Sequence, residues 1–156
     1  MPESARQAIA DFLAQKRIAL IGASRNPRDF NATMFRDLRR HGYDVVPVNP
    51  NAKEIDGVPC YQRVQEINPG VEAALVMTKS DAAAAVVKDC REAGIKRVWL
   101  YRATGQGAMS AEAVDFCRNN GISVIPGFCP YMFLPGTAWF HRMHGLFLKI
   151  TRSYPA

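Results

Sequence analysis

The residues best suited to chemistry in this chain lie in the run Ile21-Gly22-Ala23-Ser24-Arg25-Asn26-Pro27-Arg28-Asp29. Gly22 directly follows an apolar run, and a glycine there permits the tight turn that carries backbone N–H groups toward a ligand phosphate. The Ser24 hydroxyl adds a donor, Arg25 and Arg28 add positive charge, and Pro27 stiffens the loop. A dinucleotide fingerprint calls for three glycines, at 22, 24 and 27, and this chain has Gly22, Ser24 and Pro27. A plain strand-to-helix turn with no ligand is the competing reading.

A second cluster follows at Val48-Asn49-Pro50-Asn51. An NAD site places Asp or Glu here to hold the ribose hydroxyls, and the first carboxylate of this stretch is Glu54. Ordinary NAD binding is thus disfavoured. Asn49 is able to hydrogen-bond a ribose or phosphate, and Lys53 to face a terminal phosphate; alternatively, Asn49-Pro50 is simply a turn.

The thiols and imidazoles offer less. Cys60, Cys90, Cys117 and Cys129 have long, irregular spacings that match no zinc ribbon or CxxC motif. Cys90 and Cys117 are expected to fill helix faces. Cys129 has two readings, a buried structural residue or a redox thiol able to pair with the thiol of a ligand. His41 belongs at a helix end, where the macrodipole favours it. His141 and His144 stand three apart with no nearby carboxylate, a weak metal signal. No Ser-His-Asp or Cys-His arrangement is assignable, so no catalytic residue is expected.

These residues need elements to position them, and the chain supplies an alternation. Apolar, β-branched strands are expected at 17–21, 44–48, 72–77, 97–101 and 122–126, with a small extended piece at 58–61. Helices are expected at 30–41, with Phe30, Met34, Phe35 and Leu38 on its apolar face, at 81–93 capped by Ser80, and at 110–119. Pro47 puts its strand at an edge or makes it short. Strands alternating with helices require right-handed crossovers. The expectation is an α/β, Rossmann-like, doubly wound and mainly parallel sheet of five or six strands, with helices on both faces. Ligands of such sheets bind at the carboxyl ends of the strands.

Composition narrows the classes. A chain of 156 residues fits a single domain over 1–156, with a core at about 15–130 and an aromatic-rich extension at 131–156. No apolar run reaches eighteen residues, and the polar opening lacks the apolar core of a secretory signal, so a cytoplasmic protein with no membrane partner is expected. The net charge of +6 suits an anionic ligand or a basic solvated surface. No dense Lys/Arg block points to nucleic acid. Residues 136–150 read as a final helix or hairpin-like extension. The apolar run there is expected to close the core or form a homodimer interface through 131–150, rather than lie on a membrane.

The runs Ile18-Ala-Leu-Ile-Gly-Ala-Ser-Arg-Asn-Pro27 and His41-Gly-Tyr-Asp-Val-Val-Pro-Val-Asn-Pro50 resemble the bacterial CoA-binding protein family. These are stand-alone relatives of the N-terminal CoA-binding domain of the succinyl-CoA synthetase α-subunit. Ile55-Asp56-Gly57-Val58, Val98-Trp99-Leu100 and Cys129-Pro130 extend the likeness over roughly residues 15–130. The resemblance implies that Gly22, Ala23 and Ser24 line a pyrophosphate site and that Asn49 and Pro50 border the adenosine. It further implies that Met77, Thr78 and Lys79 flank the ligand across the crevice. Asn51 departs from the family's basic residue. Tyr101-Arg-Ala-Thr-Gly-Gln-Gly107 departs from a shorter loop, with Arg102 as an extra phosphate partner.

The leading expectation is therefore a non-catalytic protein that binds coenzyme A or an acyl-CoA. An acyl-CoA-linked enzyme, an accessory subunit of a synthetase-like complex and an NAD(H)-responsive regulator are the alternatives.

Overall fold

The structure, a computed structural model, describes residues 4–103 and 105–134. The elements run α1 (Ala5–Leu13), β1 (Arg17–Ile21), α2 (Phe30–Arg40), β2 (Asp44–Val48), β3 (Glu54–Ile55), β4 (Val58–Pro59), β5 (Ala73–Val76), α3 (Ser80–Glu92), β6 (Arg97–Leu100), α4 (Ala111–Asn119) and β7 (Ser123–Pro126). Five strands pair in parallel in the order β2-β1-β5-β6-β7. The chain starts inside the sheet at β1, steps outward to β2, then returns to the other side of β1 at β5. The direction of winding reverses between β1 and β5, which makes that gap the switch point.

The side-chain period of two sorts each strand between two cores. Ile18, Leu20, Leu75, Trp99 and Ile125 face α1 and α2, against Ile9, Phe12, Met34, Phe35 and Leu38. Ala19, Ile21, Ala74, Val76, Val98 and Leu100 face α3 and α4, against Ala83, Val87, Cys90, Val114 and Cys117. Strands covered on both faces must be apolar throughout, which is why β1 and β5 read as continuous runs. Cys90 and Cys117 are buried in helix faces as expected.

Pro47 sits in an edge strand, as its missing N–H demands, and its carbonyl accepts the Tyr61 N–H at 3.0 Å. The extended piece at 58–61 splits in two. Val58 and Pro59 pair back on β3 across the Asp56-Gly57 turn, while Tyr61 bridges to Val48.

Two local expectations change, and one helix adds to those expected. The segment before β1 is a helix, α1, whose cap is the Ser4 hydroxyl accepting the Gln7 N–H at 3.1 Å. Its Phe12 meets Trp99 edge to face with centroids 5.3 Å apart. Ser80 does not cap α3: Lys79 takes that position, without a side-chain cap, and Ser80 is already helical. Phe30 leaves the apolar face of α2, because the first turn of that helix projects past the strand ends; it is exposed while Met34, Phe35 and Leu38 are buried. By contrast Ser110 caps α4, accepting the Ala113 N–H at 3.3 Å. His41 is the C-cap of α2.

No described helix is long and apolar enough to cross a membrane. The expectations for 136–150, for His141 and His144, and for a homodimer through 131–150 lie wholly or largely outside the described residues.

Candidate functional site

Gly22 is the pivot of the switch point. Its φ is +97°, and a Cβ there would lie 2.9 Å from both the carbonyl carbon and oxygen of Met77. Backbone conformation and the close approach of the β5 end both require glycine. The N–H groups of Gly22 and Ala23 donate to the Val48 carbonyl at 3.1 and 3.2 Å. Those two amides thus face β2 and hold the loops together, which differs from the expectation that the Gly22 turn aims its own amide at a phosphate.

Ser24 is enclosed by its own loop. Its hydroxyl donates to Asp29 Oδ2 at 2.6 Å and accepts the Asn26 N–H at 3.1 Å. Asn26 in turn donates to Asp29 Oδ1 and accepts the Arg28 N–H, each at 3.1 Å. Asp29 stands at the N-cap of α2 but its carboxylate makes no cap bond, because it is turned to Ser24 and Asn26. Pro27 and this ring of bonds hold the loop in one shape, with Arg25 and Arg28 exposed on it.

Asn49 fills a gap between loops. Its amide donates to the Ala23 carbonyl at 2.8 Å, its Oδ1 accepts the Asn51 N–H at 2.7 Å, and its backbone N–H donates to Tyr61. The turn reading of Asn49-Pro50 therefore has direct support, and the side chain also ties the β1 and β2 loops. Pro50 and Lys53 are exposed on the outer side of the same turn.

Across the gap, the Met77 N–H donates to the Ile21 carbonyl at 2.8 Å, extending the β1–β5 ladder by one bond. Met77 is buried, Thr78 half-buried with its hydroxyl on the Lys79 carbonyl at 3.3 Å, and Lys79 exposed. The N-terminus of α3 opens here with no side-chain cap, so its partial positive charge is directed to the crevice. Arg25, Lys53 and Lys79 form no ion pair with a described residue.

Arg102 belongs elsewhere. Its Nε donates to the Gly105 carbonyl at 2.8 Å, its N–H donates to Phe128, and its side chain packs beside Gly127. It follows β6, two strands along from β1, and lies beside the end of β7.

Asn31 is the residue that sequence reasoning missed. Its amide donates to the Gly22 carbonyl at 2.7 Å and the Met77 carbonyl at 3.0 Å, stitching the two strand ends that frame the crevice. The signal was there: Asn31 stands at i, i+3, i+4 and i+7 with Met34, Phe35 and Leu38, a polar residue on an apolar stripe.

Cys129 is 2% exposed. Burial pushes its thiol pKa up, partly offset by hydrogen bonds from the Tyr131 backbone and the Tyr101 hydroxyl. A protonated, enclosed thiol fits the structural reading better than the redox one. No group of three His, Cys, Asp or Glu suited to a metal occurs among the described residues.

Fold and site define a doubly wound α/β domain whose polar loops converge at the switch point of a parallel sheet. Residues 16–135 match the family described as the CoA binding domain, and the chain belongs to that family. It is 30% identical over 125 residues to the α subunit of an ADP-forming acetate–CoA ligase of Pyrococcus furiosus, covering 76% of this chain and 27% of that subunit. An uncharacterized Bacillus subtilis protein, YneT, is 27% identical, with 73% of this chain and 82% of that protein covered. Among solved structures, a hypothetical protein from Pyrococcus horikoshii superposes with a TM-score of 0.73 at 28% identity, covering 81% of this chain and 87% of that one. An acetyl-coenzyme A synthetase of Ca. Korarchaeum cryptofilum, solved with phosphate and ADP, gives 0.62 at 30% identity over 70% of this chain and 25% of that one. The chain thus spans between about a sixth and a quarter of the ligases it resembles, but most of the small relatives.

Proposed function

We propose that this protein binds coenzyme A or an acyl-CoA at the crevice between β1 and β5 and performs no chemistry of its own. The observation that carries the reading is the contact of Gly22 with Met77. A Cβ there would clash with the Met77 backbone, so glycine lets the two strand ends close together, and the loop beyond them is tied by its own hydrogen bonds, polar and flanked by cationic side chains. Membership of the CoA binding domain family supports coenzyme A as the polyanion.

In this reading Gly22, Ala23 and Ser24 line the pyrophosphate, with Arg25 and Lys79 supplying charge from the two sides and the α3 N-terminus adding its dipole. Asn49 and Pro50 border the adenosine, Lys53 faces the terminal phosphate, and Met77 and Thr78 form the opposite wall. Arg102 reaches the ligand only if the 101–107 loop swings toward the crevice. Asn49 stands where NAD sites carry a carboxylate, and both ends of its amide are engaged inside the protein, which counts against the NAD(H) reading. All four cysteines are free thiols, which suits a reducing cytoplasm.

Isothermal titration with CoA, acetyl-CoA, NAD and ADP tests the proposal. Micromolar CoA binding that weakens in Ser24→Ala, with NAD silent, is expected. A folded protein that ignores CoA would overturn it.

A second reading, a subunit docking on a larger ligase-like assembly, draws on the 27% coverage of the ligase α subunit. Affinity purification of the tagged protein from its own host, followed by mass spectrometry, tests it. A stoichiometric ligase-like partner supports it, and a solitary protein removes it.

A further inference from the structure

Phe30 is the one large hydrophobic side chain left exposed among the described residues, with 42% of its surface open. Its ring centroid lies 5.6 Å from that of Tyr101 and 5.9 Å from that of Tyr131. The three rings come from the first turn of α2, the first residue after β6 and the turn after β7. Only the fold assembles them, and it does so at the carboxyl ends of the strands, where ligands of such sheets bind.

The hydroxyls of this shelf are already committed. Tyr131 donates to Asp37 Oδ2 at 2.5 Å, and the Tyr101 hydroxyl lies beside the Cys129 thiol. What remains for a ligand is ring surface, chiefly that of Phe30 and the half-buried Tyr101. The shelf also adjoins the crevice, because Asn31, the next residue of α2, bridges Gly22 and Met77. One end of the site is thus polar and cationic, around Ser24, Arg25 and Lys79. The other is aromatic, with a carboxylate, Asp37, behind it.

We propose that the Phe30–Tyr101–Tyr131 shelf is the subsite for the acyl group of an acyl-CoA, and that it selects an apolar, ring-sized acyl group. This rests on the reading of the crevice as a CoA site. A flat apolar group covers the open face of Phe30 and gains aromatic contacts. An acetyl group is too small to cover it. A dicarboxylic half-thioester brings a second carboxylate against ring faces, where losing its water is costly.

Calorimetric titration with CoA, acetyl-CoA, succinyl-CoA and benzoyl-CoA tests the subsite. Benzoyl-CoA is expected to bind about tenfold more tightly than CoA, with succinyl-CoA the weakest of the acyl forms. In Phe30→Ala the benzoyl-to-CoA ratio should fall to about twofold, and in Phe30→Leu to an intermediate value, with circular dichroism confirming both folds. CoA binding with no preference for benzoyl-CoA, or a ratio unmoved in both variants, overturns the subsite and leaves the CoA reading intact. Failure of all four ligands overturns both.

Discussion

The side-chain amide of Asn49 donates to the carbonyl oxygen of Ala23 at 2.8 Å, so the turn after β2 holds the loop after β1. Asn49→Ala removes this half-buried bond together with the Asn51 N–H acceptor. It should lower unfolding free energy by about 1 kcal/mol in urea titration and weaken CoA binding as the loop loosens. Undiminished stability with lost binding would make Asn49 a direct ligand contact instead.

Gly22 and Gly42 both have positive φ, +97° and +92°, but only Gly22 has a neighbour where its Cβ would go. Gly22→Ala should cost about 3 kcal/mol, through strain added to a clash with the Met77 backbone. Gly42→Ala, facing open space, should cost about 1 kcal/mol. Urea midpoints of the two variants compare them directly; equal losses would mean that the β1–β5 approach relaxes easily.

Cys60 is half-buried, whereas Cys90, Cys117 and Cys129 are buried. Titration of the native protein with Ellman's reagent at mildly alkaline pH should show one thiol reacting early, mapped by mass spectrometry to Cys60. The other three should follow only on unfolding. A Cys129 that reacts as fast as Cys60 would revive the redox reading.

Burial raises the pKa of Cys117 to about 11, and pushes those of Cys90, Cys129, Tyr101 and Tyr131 upward as well. The folded protein therefore holds these protons more firmly than the unfolded chain. Their contribution is complete below the ordinary thiol range and declines as pH climbs through it toward the raised values. The urea midpoint should stay level from about pH 7 to pH 8 and fall steadily between about pH 9 and pH 11. A midpoint that rises over that alkaline span would contradict this burial.

Much of the architecture is local and was legible along the chain. Runs such as Arg17–Ile21 and Ala73–Val76 are apolar at every buried position because both of their faces are covered, and that composition alone marks parallel strands. Glycine after the first run and Asn49-Pro50 after the second located the strand ends, and with them the side of the sheet where a ligand belongs. The Phe30–His41 stretch shows the limit. Period 3.6 put Phe30 on the buried face, but the position of the helix along the sheet, which no periodicity encodes, left it projecting past the strand ends.

What the tertiary structure alone decided were the partners of polar atoms and the meeting of distant residues. That the Gly22 and Ala23 amides turn to Val48, that Asn31 stitches Gly22 to Met77, and that Arg102 falls beside Gly127 all follow from strand order. Phe30, Tyr101 and Tyr131 likewise meet only because β5 and β6 are laid down on the far side of β1 from β2. Sequence by itself determined which residues are apolar, polar or free to turn. Contacts between residues dozens of positions apart depend on how the sheet is wound, and only the folded chain specifies that.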